Sequence, residues 1–294
     1  MFQHIPLQIS ELDESIIKHK SLALIQDKLI TFDPFSHKGN RGHASLYAGS
    51  IGMMGASILA TRACSRSGAG KITSIVPPSC FDLIHSTIPE ALVLPNNITT
   101  LDYSSFNSIG IGPGLGTDQL SVAHLTQIFS YNKPMVIDAD ALNFLAKHKE
   151  LFKKIPHSSI LTPHLLEWKR LFGDVSHDRE RIEKSVSISI QYGIFILIKG
   201  HISCLTTPKG NVFFNATGNA GMAKGGSGDV LTGLITGLLA QGYDPETAAI
   251  LGMYVHGLAG DLAKVSLGEE AMTASDQISF FPAAFAEIRK LLYT

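Results

Sequence analysis

Short runs of aliphatic and β-branched residues recur along the chain at 44–48, 71–76, 91–94, 108–111, 134–137, 159–161, 195–198, 203–206 and 211–214. Most are flanked by glycine, proline or polar residues, and each is about long enough for one strand. Between most of the earlier runs the apolar positions return at helical spacing, as in 55–67, 118–130 and 141–149. Strand and helix in alternation predict an α/β fold with a mainly parallel central sheet and helices on both faces. The last runs, between Phe195 and Phe214, lie too close together for crossover helices, and Lys209-Gly210 punctuates them. They read as an antiparallel hairpin at one edge of the sheet. A helix follows from Pro245 to about Lys264, with Asp244 as its cap and Pro245 at its first position. The final stretch, Phe280 to Tyr293, reads as a closing helix, and its Phe280, Phe281 and Phe285 read as core or oligomer contacts. No linker, repeat or compositional break divides residues 1–294, so one domain is expected.

The most informative stretch is GNAGMAKGGSGDVLTGLITGLLAQ, residues 218–241. Its glycines lead to one carboxylate, Asp229, after which Val230, Leu231, Leu234, Ile235, Leu238 and Leu239 keep a helical period. A glycine loop that runs into a helix N-terminus exposes first-turn N–H groups and the positive end of the helix dipole, which is how a chain holds phosphate. A carboxylate there repels the phosphate it adjoins. It therefore reads as a base that accepts a proton from a hydroxyl undergoing phosphorylation, against the alternative of a helix-capping Asp. The dipole should lower its pKa and make it a weak base at rest.

Charged residues make up 17% and hydrophobic residues 45%, which suits a compact body with a large core. A net charge of −1 leaves no basic field for nucleic acid or acidic membranes. Cys64, Cys80 and Cys204 fit neither a disulfide framework nor a zinc pattern. The absence of a signal-like N-terminus or an apolar span implies a cytoplasmic address.

Other motifs carry less alone. GAGK at 68–71 lacks the first glycine and the final Ser/Thr of a P-loop. GGSGD around Ser227 misses a nucleophile elbow by one residue. In VIDADALN, Asp138 and Asp140 follow a strand, where carboxylates meet ligands, or Asp140 caps a helix starting at Ala141. In LTPHLLE, His164 and Glu167 follow another strand, and Lys199-Gly200 ends a third. IGPGLG at 111–116 makes a strand-to-helix turn, with Thr117 or Asp118 capping the helix.

Taken in order, SHKGNRGH (36–43), GSIGMMGASILA (49–60), RSGAG (66–70), IGPGLG (111–116), VIDADALN (136–143), TPHLLE (162–167), IKG (198–200) and NAGMAKGGSGDVLTG (219–233) closely resemble the NAD(P)H-hydrate dehydratases. The resemblance implies the ribokinase-like fold and a carbon–oxygen lyase that uses ADP or ATP, with Mg²⁺, to restore the S epimer of hydrated NADH or NADPH. It implies nucleotide contacts at Lys199, Gly200, His201, Ile202 and Ser203, and at Asn219, Gly221, Gly225, Gly226, Ser227 and Gly228. It implies substrate contacts at Ala56, Gly114, Gly116, His164 and Asp229, with Asp229 catalytic. No Mg²⁺ ligand set can be read. A homo-oligomer is expected, as is a separate epimerase as functional partner, because the chain has no room for the epimerase domain many relatives carry. Ser203 and Ser227 replace the usual Thr but keep the hydroxyl, and Leu165-Leu166 replaces the usual Pro-Gly beside His164. Fold alone would also admit a small-alcohol kinase, such as one for hydroxyethylthiazole or hydroxymethylpyrimidine.

Overall fold

The computed structural model describes residues 8–14, 17, 23–25, 28–31, 33–96, 101–116 and 122–290. Nine strands form one sheet: β1 His43–Tyr47, β2 Lys71–Val76, β3 Leu92–Pro95, β4 Ser108–Ile111, β5 Met135–Ile137, β6 Ile160–Leu161, β7 Phe195–Ile198, β8 Ser203–Thr206 and β9 Val212–Asn215. Their order is β3-β2-β1-β4-β5-β6-β7-β8-β9. β1 to β7 are parallel, and β8 and β9 fold back antiparallel as the expected edge hairpin. The chain steps outward from β1 to β3, then returns to set β4 against β1. That reversal opens a crevice at the C-terminal ends of β1 and β4, where ligands of open α/β sheets bind.

Alternation along each strand divides the core. Met135 and Ile137 face one cluster with Leu125, Leu142, Trp168 and Ile182, while Val136 faces another with Leu234, Leu251 and Phe281. The first layer is built by helices Val122–Ser130, Ala139–Lys147, Leu165–Phe172 and Asp178–Tyr192. The second is built mainly by Ser227–Ala240, Pro245–Leu267 and Phe281–Lys290, with Met54–Arg66 packed alongside. Asp244 caps its helix as expected, accepting from the Thr247 N–H at 3.0 Å. The expected Thr117 or Asp118 cap and the last residues of the closing helix lie outside the described residues.

Helix Asp178–Tyr192 escapes the hydrophobic pattern because serines occupy half its inner stripe, Ile182, Ser185, Val186 and Ser189. Ser185 accepts from Trp168 Nε1 at 2.8 Å, and Ser189 shares a hydrogen bond with Thr206 at 2.8 Å. The short helices Phe81–Thr87, Leu165–Phe172 and Ala274–Ser279 were likewise not legible as periods.

The helix after the glycine loop is buried from Val230 to Ala240 without a break, so every side faces protein. It crosses helix Met54–Arg66 at very short range. A Cβ on Gly233 would stand 1.9 Å from the Ala60 carbonyl oxygen, and one on Gly237 would stand 1.9 Å from Ser67 Oγ. Glycine to alanine inside an exposed helix stabilises by about 1 kcal/mol. Gly233→Ala should do the opposite here, lowering the urea midpoint by an amount equivalent to about 1–3 kcal/mol through overpacking; a higher midpoint would show that the helices separate freely.

Candidate active site

The C-terminal strand ends gather the ionisable groups. Asp138 follows β5 and occupies the N-cap position of helix Ala139–Lys147 without making a capping bond. Its side chain is committed elsewhere: Oδ1 accepts from Lys199 Nζ at 2.6 Å, and Oδ2 accepts from Thr232 Oγ1 at 2.7 Å. The turn that aims it places Ala139 at φ +48, a conformation that costs a residue with a Cβ about 1–3 kcal/mol. It also brings the Asp138 carbonyl so near Gly112 that a Cβ there would stand 1.8 Å away. Asp140 is not the cap that one reading expected, because the helix begins two residues before Ala141. Its Oδ2 instead accepts the Gly116 N–H at 2.8 Å and so fixes the loop after β4.

His164 follows β6 as a helix cap. Nδ1 accepts from the N–H groups of Leu166 and Glu167 at 3.1 and 3.2 Å, and Glu167 Oε2 accepts the His164 N–H at 2.8 Å. This reciprocal box leaves the ring proton on Nε2, 3.4 Å from Glu167 Oε1. The Lys199 ammonium lies between two acids, with Asp138 at 2.6 Å and Glu167 at 3.8 Å. Burial pushes the Glu167 carboxyl up, against the pull of Lys199.

A cavity of about 880 Å³ opens beside this cluster. Of the residues expected to bind nucleotide or substrate, His164, Lys199, Gly200, His201, Ser203, Asn219, Gly225, Ser227 and Gly228 line it. Three do not. Ile202 is buried against Ile17 and Ala216, and Gly221 packs against Met272 and the backbone of Glu269. Gly226 caps the helix at φ +96, where a Cβ would lie 2.4 Å from Leu59 Cδ1. Gly226 therefore serves helix packing and a left-handed turn, whereas Gly225 has open space where a Cβ would be. Ala56 and Gly114 meet at the crevice between β1 and β4, outside the lining of that cavity, with Gly116 two residues further along the loop after β4. A Cβ on Gly114 would meet Ala56 Cβ and the Met53 carbonyl, both at 2.8 Å.

Asp229 is the third residue of its helix, behind the Gly226 cap, and is half-buried. It does not line the large cavity; its charged neighbours are Asp138, Lys199, Asp140 and Glu167. Burial first, and the Asp138 charge second, push its carboxyl from 3.8 up to about 7, with Lys199 opposing. The expected lowering by the helix dipole is thus overturned, because desolvation and neighbouring acids outweigh it. Residues the sequence did not single out include Thr232, Lys224 and His256. Lys224 Nζ donates to the carbonyls of Glu269 and Met272 at 3.2 and 2.7 Å, so this loop lysine ties down the 269–272 segment.

Replacing Asp138 by Asn removes one negative charge and frees Lys199 toward Asp229. The titration of the Asp229 carboxyl carbon, followed by NMR, should then move below about 7. An unmoved titration would remove the Asp138 charge as a cause.

The profile of a family described as NAD(P)H-hydrate dehydratase matches residues 44–282. The chain is 35% identical over 274 residues to the bifunctional NAD(P)H-hydrate repair enzyme Nnr of Moorella thermoacetica, covering 88% of this chain and 52% of that protein. It thus spans about half the length of the bifunctional relatives it matches. It is 35% identical over 264 residues to the ADP-dependent (S)-NAD(P)H-hydrate dehydratase of Neisseria meningitidis serogroup B, covering 85% and 86% of the two chains. Among solved structures, the ADP/ATP-dependent NAD(P)H-hydrate dehydratase of Bacillus subtilis, co-crystallised with ATP/Mg²⁺, superposes with a TM-score of 0.81 at 29% identity, covering 91% of this chain and 97% of that one.

Proposed function

The chain belongs to the NAD(P)H-hydrate dehydratase family, with its ribokinase-like fold, and from that premise we propose that it dehydrates the S epimer of hydrated NADH or NADPH, with ADP or ATP as phosphoryl donor. The observation that carries the reading is a carboxylate with a pKa raised to about 7 at the end of a glycine loop, set between a nucleotide-sized cavity and the β1–β4 crevice.

In this reading the nucleotide phosphates meet the loop at Gly225, Ser227 and Gly228, with Lys199 as the nearby cation. The hydrated nicotinamide lies toward Ala56, Gly114, Gly116 and His164. Its C6 hydroxyl attacks the terminal phosphorus while Asp229 takes the hydroxyl proton, and the P–O bond to the nucleotide breaks. Phosphate then leaves C6 with the C–O bonding pair, as the ring nitrogen lone pair forms the iminium. Loss of a C5 proton restores the C5=C6 double bond. A carboxylate near pH 7 in its proton affinity suits this base role better than an ordinary one.

Mg²⁺ in this reading arrives with the nucleotide. The described residues offer no cluster of three or more His, Cys, Asp or Glu in a metal-holding arrangement, and both Asp138 oxygens are already engaged. That fits an ion held largely by phosphate oxygens rather than by a protein cage. The same proposal has the protein act as a homo-oligomer in the cytoplasm, with a separate epimerase converting the R epimer.

The test is incubation with hydrated NADH, Mg²⁺ and either nucleotide, following the return of NADH absorbance. Phosphorylation of a thiazole or pyrimidine alcohol without that return would favour a small-alcohol kinase. Asp229→Asn should lower turnover by roughly 10²–10⁴ while leaving nucleotide affinity equal or tighter; turnover within a few-fold of wild type would remove Asp229 as the base. The same variant reports on stability. With a folded pKa of about 7 against an ordinary 3.8, the native state holds a proton that the unfolded chain releases, so stability from this group falls as pH rises across that window. Asp229→Asn should therefore melt above wild type at pH 8, with the gap closing toward pH 4.

A further inference from the structure

Helix Pro245–Leu267 carries the string HGLAGD, residues 256–261, and lays it along the whole length of the glycine loop. Gly257 and Gly260 let the two backbones approach. A Cβ on Gly257 would stand 2.4 Å from the Thr217 carbonyl oxygen, and one on Gly260 would stand 2.2 Å from Met222 Sδ. At the start of the loop, Asp261 accepts the Gly218 N–H and the Asn219 side-chain amide, both at 3.0 Å. At its end, His256 Nε2 donates to the Ser227 carbonyl at 2.9 Å and lies 3.4 Å from Ser227 Oγ. The His256 carbonyl is itself held by Gln277 Nε2 at 2.7 Å.

We propose that His256 and Asp261 are positioning residues for nucleotide binding, one holding each end of the 218–228 loop in the shape that presents Ser227 and Gly228 to phosphate. Neither needs to touch the phosphates to do so. Loop N–H groups bind an anion only when they converge, and convergence is an entropic cost that a prefixed loop has already met. The Ser227 carbonyl belongs to the first residue of the helix, so its anchor also fixes where the first-turn N–H groups point. Burial lowers the pKa of His256 to about 4, which keeps a single ring proton at neutral pH and commits it to Ser227. The charged group that faces it is Lys199, across the cavity wall.

This inference rests on the nucleotide reading of the cavity, and the experiment separates the two. ADP and ATP binding is measured by calorimetry for wild type, His256→Leu, His256→Gln, His256→Asn and Asp261→Asn, alongside KM for nucleotide and for hydrated NADH. The Gln amide nitrogen reaches the position of Nε2; the shorter Asn does not. His256→Leu, His256→Asn and Asp261→Asn should weaken nucleotide binding about tenfold, the usual worth of one such hydrogen bond. The hydrate KM should stay near wild type, and His256→Gln should recover most of the nucleotide affinity. If the Leu variant does not fold, the Gln and Asn pair carries the comparison. Equal nucleotide affinity across the folded variants, or equal loss in Gln and Asn, overturns the proposal. Failure of the wild type to bind either nucleotide overturns the cavity reading, and this inference with it.

Discussion

Asp138 holds three parts of the molecule in one place. Its two oxygens bind Lys199 at the end of β7 and Thr232 on the helix that begins at the glycine loop, while its backbone N–H bonds Ile111 at the end of β4. The carboxylate is almost fully enclosed, and an enclosed charge without partners would be costly. The ion pair with Lys199 is therefore a condition for the sheet ends and the helix to meet as they do. Its consequence reaches further. Asp138, Glu167 and Asp229 share one nearby ammonium, so the cluster cannot ionise fully without net negative charge in a poorly solvated space. Asp138 has two hydrogen-bond donors on its oxygens, while Asp229 has burial and acidic neighbours, so the excess proton resides most readily on Asp229. The proton affinity of Asp229 is set by the architecture that encloses it.

The strand pattern was legible because a sheet covered on both faces needs apolar residues at nearly every position, as in the runs FILI and MVI. Helix Asp178–Tyr192 was hidden for the opposite reason: its inward face satisfies hydroxyls against Trp168 and Thr206 rather than burying only carbon. The same limit applied at the site. Asp138, His164 and Lys199 stood out because strand ends are where an α/β sheet exposes polar groups. Thr232 and His256 lie inside largely buried stretches of their helices, and their meaning depends on which element packs opposite. The string HGLAGD at 256–261 takes its meaning only from the loop that packs against it.

The glycines illustrate the point most directly. The glycines of the tract 218–228 suggested one purpose, backbone approach to phosphate. The structure divides them. Gly225 faces open space, Gly226 supports a left-handed cap against Leu59, and Gly221 fits under Met272. Gly233 and Gly237 allow two helices to touch. A glycine-rich motif in this fold is therefore partly a ligand device and partly a packing device, and substitutions within it should be read by position.

In the proposed reading the site has two compartments, with Asp229 between them. The large cavity is walled by the ends of β7 to β9 and by the glycine loop, whereas the crevice at β1 and β4 is walled by Ala56, Gly114 and Gly116. In the proposed reaction, phosphoryl transfer from one to the other requires donor and acceptor to be held in line to a fraction of an ångström. Asp229 stands in the first turn of the helix that the loop runs into, so in the proposed mechanism any freedom in the loop would misplace the base and the phosphate together. That gives a physical reason for anchoring the loop from an independent helix, through Asp261 at one end and His256 at the other. Lys224 ties its middle to the 269–272 segment on the outer side.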